Sequence, residues 1–348
     1  MNPFFAHLGL TAPIIQAPMA GVQNHRLAAA VCASGALGSL PAAMLSPAAL
    51  QAELQALKAA TTAAFNVNFF CHATPASDHT CEARWQQTLA PYYRELGLAS
   101  ECIPSGSGRV PFNHDSADVL EPFRPAVVSF HFGLPAPDLL ARVKSWGSLV
   151  LSCATTVNEA LWLQAHGVDA IIAQGLEAGG HRGMFLTEDL STQMGIYALL
   201  PRTVQAVTVP VIAAGGMAQP ANLQTVKALG AAGVQIGTAY LCSDEATTST
   251  LHRAALLSPA VQHTALTNVF TGRPARGIVN RIMRELGAMS PLAPSFPLAT
   301  AAMAPLRAAA EAQGRSDFSP LWAGQNAAHV QARPASQITH DFIAAWRE

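Results

Sequence analysis

The sequence predicts an α/β fold: a (β/α)8 TIM barrel with an insertion after the third strand and a C-terminal helical extension. Three observations carry the prediction. Eight short apolar runs alternate with longer helical patterns, the signature of βαβ units and a parallel sheet. Several of those runs show no polar alternation, as strands covered by helices should. The count of eight suits a closed barrel better than an open sheet.

The elements follow in order. IIQAPM (14–19) reads as the first strand and 24–34 as a helix. ALGSL (36–40) is the second strand, followed by a helix over 47–60 with Ser46 as N-cap and Pro47 at its first position. AFNVNFF (64–70) is the third strand. Residues 71–125 are too long for one crossover and form an insertion, with a helix over 82–96 and a Ser/Gly/Pro-rich loop over 105–112. AVVSFH (126–131) precedes a helix over 137–145, LVLSCAT (149–155) precedes 157–166, and AIIAQG (170–175) follows. PVIAAGG (210–216) leads into 220–229, and GVQIGTAY (233–240) into 245–256. Residues 257–348 mix loops with helical patterns near 300–313 and 336–346. Their composition is not that of a linker. The expected organisation is a barrel over 1–256, including the insertion 71–125, and an extension over 257–348 that packs on it and is not an independent domain.

Composition narrows the function. Hydrophobic residues make up 50% of the 348 and charged residues only 12%, the reverse of a disordered chain. Twenty basic and 21 acidic residues give a net charge of −1. No basic excess exists to grip a phosphate backbone, so nucleic acid is excluded as an expected partner. Mean hydropathy is +0.25, yet no run reaches the roughly 18 apolar residues of a spanning helix, so no membrane is expected. The start lacks a basic n-region and a clean apolar h-region, so no signal peptide is expected. Six scattered cysteines, Cys32, Cys71, Cys81, Cys102, Cys153 and Cys242, suit reduced thiols in a cytoplasm. Cys71, His72, His79 and Cys81 lie close together, but their spacing matches no usual zinc pattern, and no metal is expected.

In a barrel, the loops after the strands' C-terminal ends carry the chemistry. Gly215 and Gly216 end the seventh strand, and Gly237 and Thr238 fall in the eighth. Loops after these two strands commonly form a phosphate site, where glycines let backbone N–H groups approach the oxygens. AQGLEAGGHRG (173–183) ends the sixth strand. Gln174 has donors and an acceptor suited to the polar edge of a bound ligand. Gly179 and Gly180 permit close backbone approach to a ligand. His181 follows them, with an ordinary pKa that allows proton exchange near neutrality. His131 ends the fourth strand in SFHFGLP, and both a substrate-positioning and a structural reading stay open for it. Pro18 and Met19 end the first strand, where Met19 is either a core residue or a soft wall for a flat ring. Asn66 and Asn68 share one face of the third strand and need amide partners. Neither a G-x-x-x-x-G-K-[ST] loop nor a G-x-S-x-G elbow is present.

These motifs, in this order, resemble the nitronate monooxygenases, formerly called 2-nitropropane dioxygenases. The matching stretches are IIQAPMAG, FNVNFF, VVSFHFGLP, AQGLEAGGHRG, PVIAAGG, QIGTAYL, and in the tail NRIMRELG (280–287) and LWAGQ (321–325). The resemblance implies a TIM barrel holding FMN without a covalent bond. It places FMN contacts on Pro18, Met19, Asn68, Gln174, Gly179, Gly216 and the run Gln235, Ile236, Gly237 and Thr238. It places the catalytic base on His181 and an active-site histidine on His131. It implies oxidation of alkyl nitronates, notably propionate 3-nitronate, with dioxygen, releasing nitrite and a carbonyl product. One class of the family is expected to carry tyrosines and a lysine in the C-terminal part. Here 290–302 holds Phe296 and neither type, and Lys58, Lys144 and Lys227 fall on outer helices. Arg109, Arg182, histidines or backbone donors are then the candidates for an anionic substrate.

Two further readings stand beside this one. The first is an NAD(P)H-dependent FMN reductase of the same superfamily, acting on quinones or enoyl groups. The second is a non-catalytic FMN-binding protein. The expected partners are a nitronate or nitroalkane and dioxygen. The helices after 257 offer either a homodimer face or a cap on the barrel.

Overall fold

The computed structural model describes residues 2–76, 78–99, 103 and 109–348. Cys102 and the first half of the 105–112 loop lie outside the described residues. In chain order the strands are β1 (Ile14–Gln16), β2 (Gly38–Pro41), β3 (Phe65–Phe70), β4 (Val127–His131), β5 (Leu149–Ala154), β6 (Ala170–Gln174), β7 (Gly180–His181), β8 (Val211–Ala214), β9 (Gly233–Ile236), β10 (Thr264–Thr267) and β11 (Ala275–Ile278).

All eight predicted strands are present, within two residues of their expected starts. They form one parallel sheet in the order β1-β9-β8-β6-β5-β4-β3-β2. The two ends of that order meet. Leu37, just before β2, bridges Ile15 in parallel, donating its N–H to the Ile14 carbonyl at 2.9 Å and accepting from Gln16 at 2.9 Å. The sheet is therefore a closed (β/α)8 barrel with no free edge.

Local chemistry explains the covering helices. Ser46 accepts from Ala49 N at 3.3 Å and starts the helix Pro47–Ala60, and Asn24 caps His25–Ala33 through Arg26 N. The helix expected from 245 begins at Thr250 instead, because Ser249 caps it through His252 N. Four helices escape the sequence pattern: Pro3–His7, His114–Leu120, Arg281–Glu285 and Ile196–Ala206. The last is the β6–β8 crossover and carries Pro201 inside it, which hides its periodicity.

The core has a simple division. Inward-facing Ile15, Leu37, Val127, Leu151, Ile172 and Ile212 fill the lower barrel, plugged from below by Phe4, Phe5 and Leu8. Above them the inward residues become small or polar: Asn68, Ser129, Cys153, Gln174 and Gln235. That change of side-chain size and polarity leaves a cavity at the C-terminal mouth. The insertion helix His79–Glu95 packs Trp85, Leu89, Tyr92 and Tyr93 on Met283, Met303, Leu306 and Phe318 of the extension. Glu95 pairs with Arg281 at 2.7 Å and Arg315 at 2.8 Å across the same junction.

A second, antiparallel sheet of order β10-β11-β7 was not anticipated. It pairs Ala275 with His181 and Arg276 with Gly180. Among the described residues no helix is long and apolar enough to cross a membrane, no cluster of His, Cys, Asp and Glu can hold a metal, and the cysteines are free.

Candidate active site

The cavity at the barrel mouth gathers both candidate histidines and the expected ligand contacts from six strands, but neither Asn66 nor Arg182. From β1 come Pro18 and Met19, from β3 Asn68, and from β4 His131. The β6 end gives Gln174, and the following loop gives Gly179, Gly180 and His181. Gly215 and Gly216 follow β8, and Gln235, Ile236, Gly237 and Thr238 run along and past β9. Asn66 is not part of the lining; it is buried below and donates to Ser39 Oγ at 3.0 Å.

His181 is the centre of the polar chemistry. Its Nε2 lies 2.9 Å from Thr271 Oγ1. Phe70, Phe132, Phe296 and Trp322 surround the ring at centroid distances of 6.1, 6.0, 5.4 and 5.6 Å. Burial, then the nearby Arg109 charge, hold its pKa well below the ordinary histidine value. It is therefore a neutral imidazole at pH 7. The backbone carrying it is fixed from both sides. The His181 carbonyl accepts from Gln174 Nε2 at 2.9 Å and from His131 Nε2 at 3.2 Å. Gly183 N donates to Gln174 Oε1 at 2.8 Å. A carbonyl can only accept, so His131 carries its proton on Nε2. Burial lowers the His131 pKa to about 4, and it too is neutral.

Gln174 thus spends its acceptor and one N–H on the His181 segment, which leaves one N–H for a ligand edge. Arg182 departs from expectation. It is fully buried and donates to the Gly175 carbonyl at 2.7 Å, the Gln174 carbonyl at 2.8 Å and Gln193 Oε1 at 3.1 Å. Side chains alternate along β7 and its continuation, so His181 and Arg182 point opposite ways. Arg182 braces the end of β6 and is unavailable to a substrate.

The other half of the mouth is built from glycine and small polar groups. Gly215 and Gly216 have φ of 103° and 75°, a left-handed conformation that Gly adopts without strain. A Cβ on Gly179 would meet the Ala323 and Gly324 backbone at 2.6 Å. Gly324 N donates to Thr238 Oγ1 at 3.0 Å, and Asn326 Nδ2 to the Gly216 carbonyl at 2.9 Å. Gln235 Oε1 is buried without a hydrogen-bond partner, as an acceptor reserved for a ligand would be. The lining contains no Asp or Glu among the described residues. This donor set, glycine cradle and lack of repelling carboxylates fit a phosphate-bearing heterocycle, with Met19 as an apolar wall.

Sequence reasoning missed Thr271, Trp322 and Asn326, all from the extension, although LWAGQ (321–325) was a recognised motif. It also missed His252, which lines the cavity with its Nε2 unpartnered.

A neutral imidazole at the mouth of a closed parallel barrel, facing a glycine-walled cleft, is a candidate active site where α/β-barrel enzymes carry theirs. A solved structure of FabK from Thermotoga maritima has the same fold, with a TM-score of 0.73 at 23% identity over 98% of this chain and 94% of that one. The particular family follows from closer matches. The nitronate monooxygenase family model matches residues 2–344, and the chain belongs to that family. A nitronate monooxygenase of Paraburkholderia phytofirmans is 40% identical over 95% of this chain and 91% of its own length. The crystal structure of a nitroalkane oxidase from Streptomyces ansochromogenes superposes with a TM-score of 0.90 at 37% identity, covering 99% of this chain and 98% of that one.

Proposed function

We propose that the protein oxidises alkyl nitronates, such as propionate 3-nitronate, with dioxygen on a bound FMN, releasing nitrite and a carbonyl compound. The observation that carries this is His181: a neutral imidazole, pinned by Thr271 and held over a cavity whose opposite wall is a glycine cradle. The family is flavin-dependent, and FMN fits the donor set described above. Gly215, Gly216, Gly237 and Thr238 would hold its phosphate, and Pro18, Met19, Asn68, Gln174, Gly179, Gly180, Gln235 and Ile236 would surround the rest. When bound, FMN supplies the redox chemistry, accepting electrons from the substrate and passing them to dioxygen.

The chain's own residues bind, orient and move a proton. With a neutral nitroalkane, the lone pair on His181 removes the acidic α-proton. With a nitronate, already deprotonated, the same ring orients the anion. Thr271 fixes the ring's rotation, and Gln174 and His131 fix its backbone. His131 is in this reading a positioning residue that also lines the substrate space. Phe70, Phe132, Phe296 and Trp322 exclude water from the proton-transfer site. The extension 257–348 belongs to this working unit, since it supplies Thr271 and Trp322. The scattered spacing of the cysteines in the sequence suits a cytoplasmic setting.

The test is anaerobic. The flavin-loaded protein is mixed with propionate 3-nitronate, and separately with NADH and NADPH, while the flavin spectrum is recorded. Prompt bleaching by the nitronate is expected. Bleaching by a nicotinamide alone would move the protein to the reductases, and no bleaching by any donor would leave a flavin binder. The substitution His181→Asn should keep FMN bound yet lose activity on neutral nitroalkanes more than on nitronates. Equal turnover of the neutral substrate by variant and parent would defeat the base assignment.

A further inference from the structure

Among the described residues the cavity lining holds one Lys or Arg, Arg109, and no carboxylate. Its guanidinium lies 5.3 Å from the centre of the Phe296 ring, and no described Asp or Glu comes within ion-pair reach of it. The neighbouring cations are committed elsewhere. Arg182 is spent on backbone carbonyls. Arg273 sits over Phe132 at 4.1 Å and donates to the Met184 carbonyl. Burial lowers the Arg109 pKa only to about 10, so the charge persists at neutral pH. A largely desolvated cation without an anion is costly, which makes it a site for one.

Its position excludes the cofactor phosphate as that anion. Arg109 stands on the β3 side of the mouth, where Phe112 N donates to the Phe70 carbonyl at 2.8 Å. The glycine cradle follows β8 and β9. In the barrel order, β3 is separated from β9 by β2 and β1, and from β8 by β4, β5 and β6. Arg109 therefore faces the phosphate cradle from across the mouth. It shares Phe296 with His181, whose ring lies 5.4 Å from the same phenyl. Stacked on that face, the guanidinium leaves its N–H fork for a planar carboxylate.

We propose that Arg109 determines substrate specificity by receiving a carboxylate at the far end of the substrate from the carbon that faces His181. The site then prefers nitronates with a second, terminal anionic group over nitronates with an apolar tail. This rests on the nitronate-oxidising function proposed above.

The experiment uses the flavin-loaded parent, Arg109→Gln and Arg109→Lys, with two nitronates: propionate 3-nitronate and the nitronate of 1-nitropropane, in which a methyl replaces the carboxylate. The quantity read is the ratio of kcat/KM for the two. The parent should favour the carboxylated substrate. Arg109→Gln should lower that ratio about 30-fold or more, mainly through KM, as loss of a hydrogen bond between charged, desolvated groups does. Arg109→Lys should recover part of the ratio by keeping the charge without the fork. A ratio within about threefold of the parent in Arg109→Gln overturns the proposal, including the case where both substrates lose activity equally, which would put Arg109 on the nitronate group or on cavity shape. A parent that oxidises neither nitronate fails the underlying function instead, before any variant is compared.

Discussion

His72 is a buried titration switch that acid should expose. It is 5% exposed, with Phe296 at 4.8 Å and Phe132 and Phe70 at 6.3 and 6.4 Å. Neither ring nitrogen has a hydrogen-bond partner of good geometry; the nearby Arg109 backbone offsets only part of the desolvation, and the pKa falls to about 4. In the unfolded chain the ordinary value of 6.5 returns, so the unfolded state binds more protons below that pH. The stability from keeping His72 neutral is thus whole above pH 6.5 and is lost as the pH falls toward 4. At pH 5 the difference between pKa values of 6.5 and 4 amounts to about 2 kcal/mol for this one residue. His252, 4% exposed with its pKa also lowered to about 4 by burial, adds about as much in the same direction. Together they remove a large share of a typical stability of about 5–15 kcal/mol. The substitution His72→Leu replaces the ring with an apolar group of similar volume. Urea unfolding at pH 7.5 and 5.0, at fixed free FMN, measures the effect. The variant should lose about 2 kcal/mol less than the parent between the two pH values, and be at least as stable at pH 7.5 because two unpartnered nitrogens are gone. An identical acid-induced loss in both proteins would refute the reasoning.

The remaining predictions concern the cavity. If the neutral His181 imidazole is the base, kcat/KM for a neutral nitroalkane stays flat from pH 8 to 6 and falls only below, because the folded pKa lies well under 6.5. A drop centred on pH 6.5 would show an ordinary, solvated histidine. The substitution Gly179→Ala forces a Cβ to 2.6 Å from the Ala323–Gly324 backbone, which must move. Flavin affinity should weaken by about tenfold or more, since overpacking costs about 1–3 kcal/mol. Fluorescence titration of the apoprotein with FMN checks it, and unchanged affinity would remove Gly179 from the cradle.

Most of the barrel was legible because its strands are short, apolar and unalternating, and because caps such as Ser46 and Asn24 mark where helices start. What escaped had specific reasons. Ile196–Ala206 carries a proline, and His114–Leu120 is seven residues long and polar at its start. The β10-β11-β7 sheet depends on a pairing across more than ninety residues, Ala275 with His181, and no local pattern encodes it. The cavity lining was legible for a different reason: barrel geometry sends every strand's C-terminal end to one mouth, so the residues ending β1, β3, β4, β6, β8 and β9 had to meet. Arg182, one candidate for an anionic substrate, turns away from the cavity because extended backbone sends it and its neighbour His181 to opposite sides.

That nonlocal strand pair is what makes His181 a defined group rather than a loop residue. The segment after β6 is glycine-rich, and alone it would sample many backbone conformations. Pairing with β11 fixes its course, and the turn between β10 and β11 delivers Thr271 to the imidazole at 2.9 Å. From the barrel side, Gln174 and His131 grip the same residue by its carbonyl. The imidazole is therefore oriented by two bodies of sequence, one on the barrel and one on the extension. Neither body alone specifies both the ring and its backbone. Loosening β11 should thus cost turnover before it costs the barrel, since the eight parallel strands close without it. The extension is best understood as the second half of the site rather than as a cover added to a finished one.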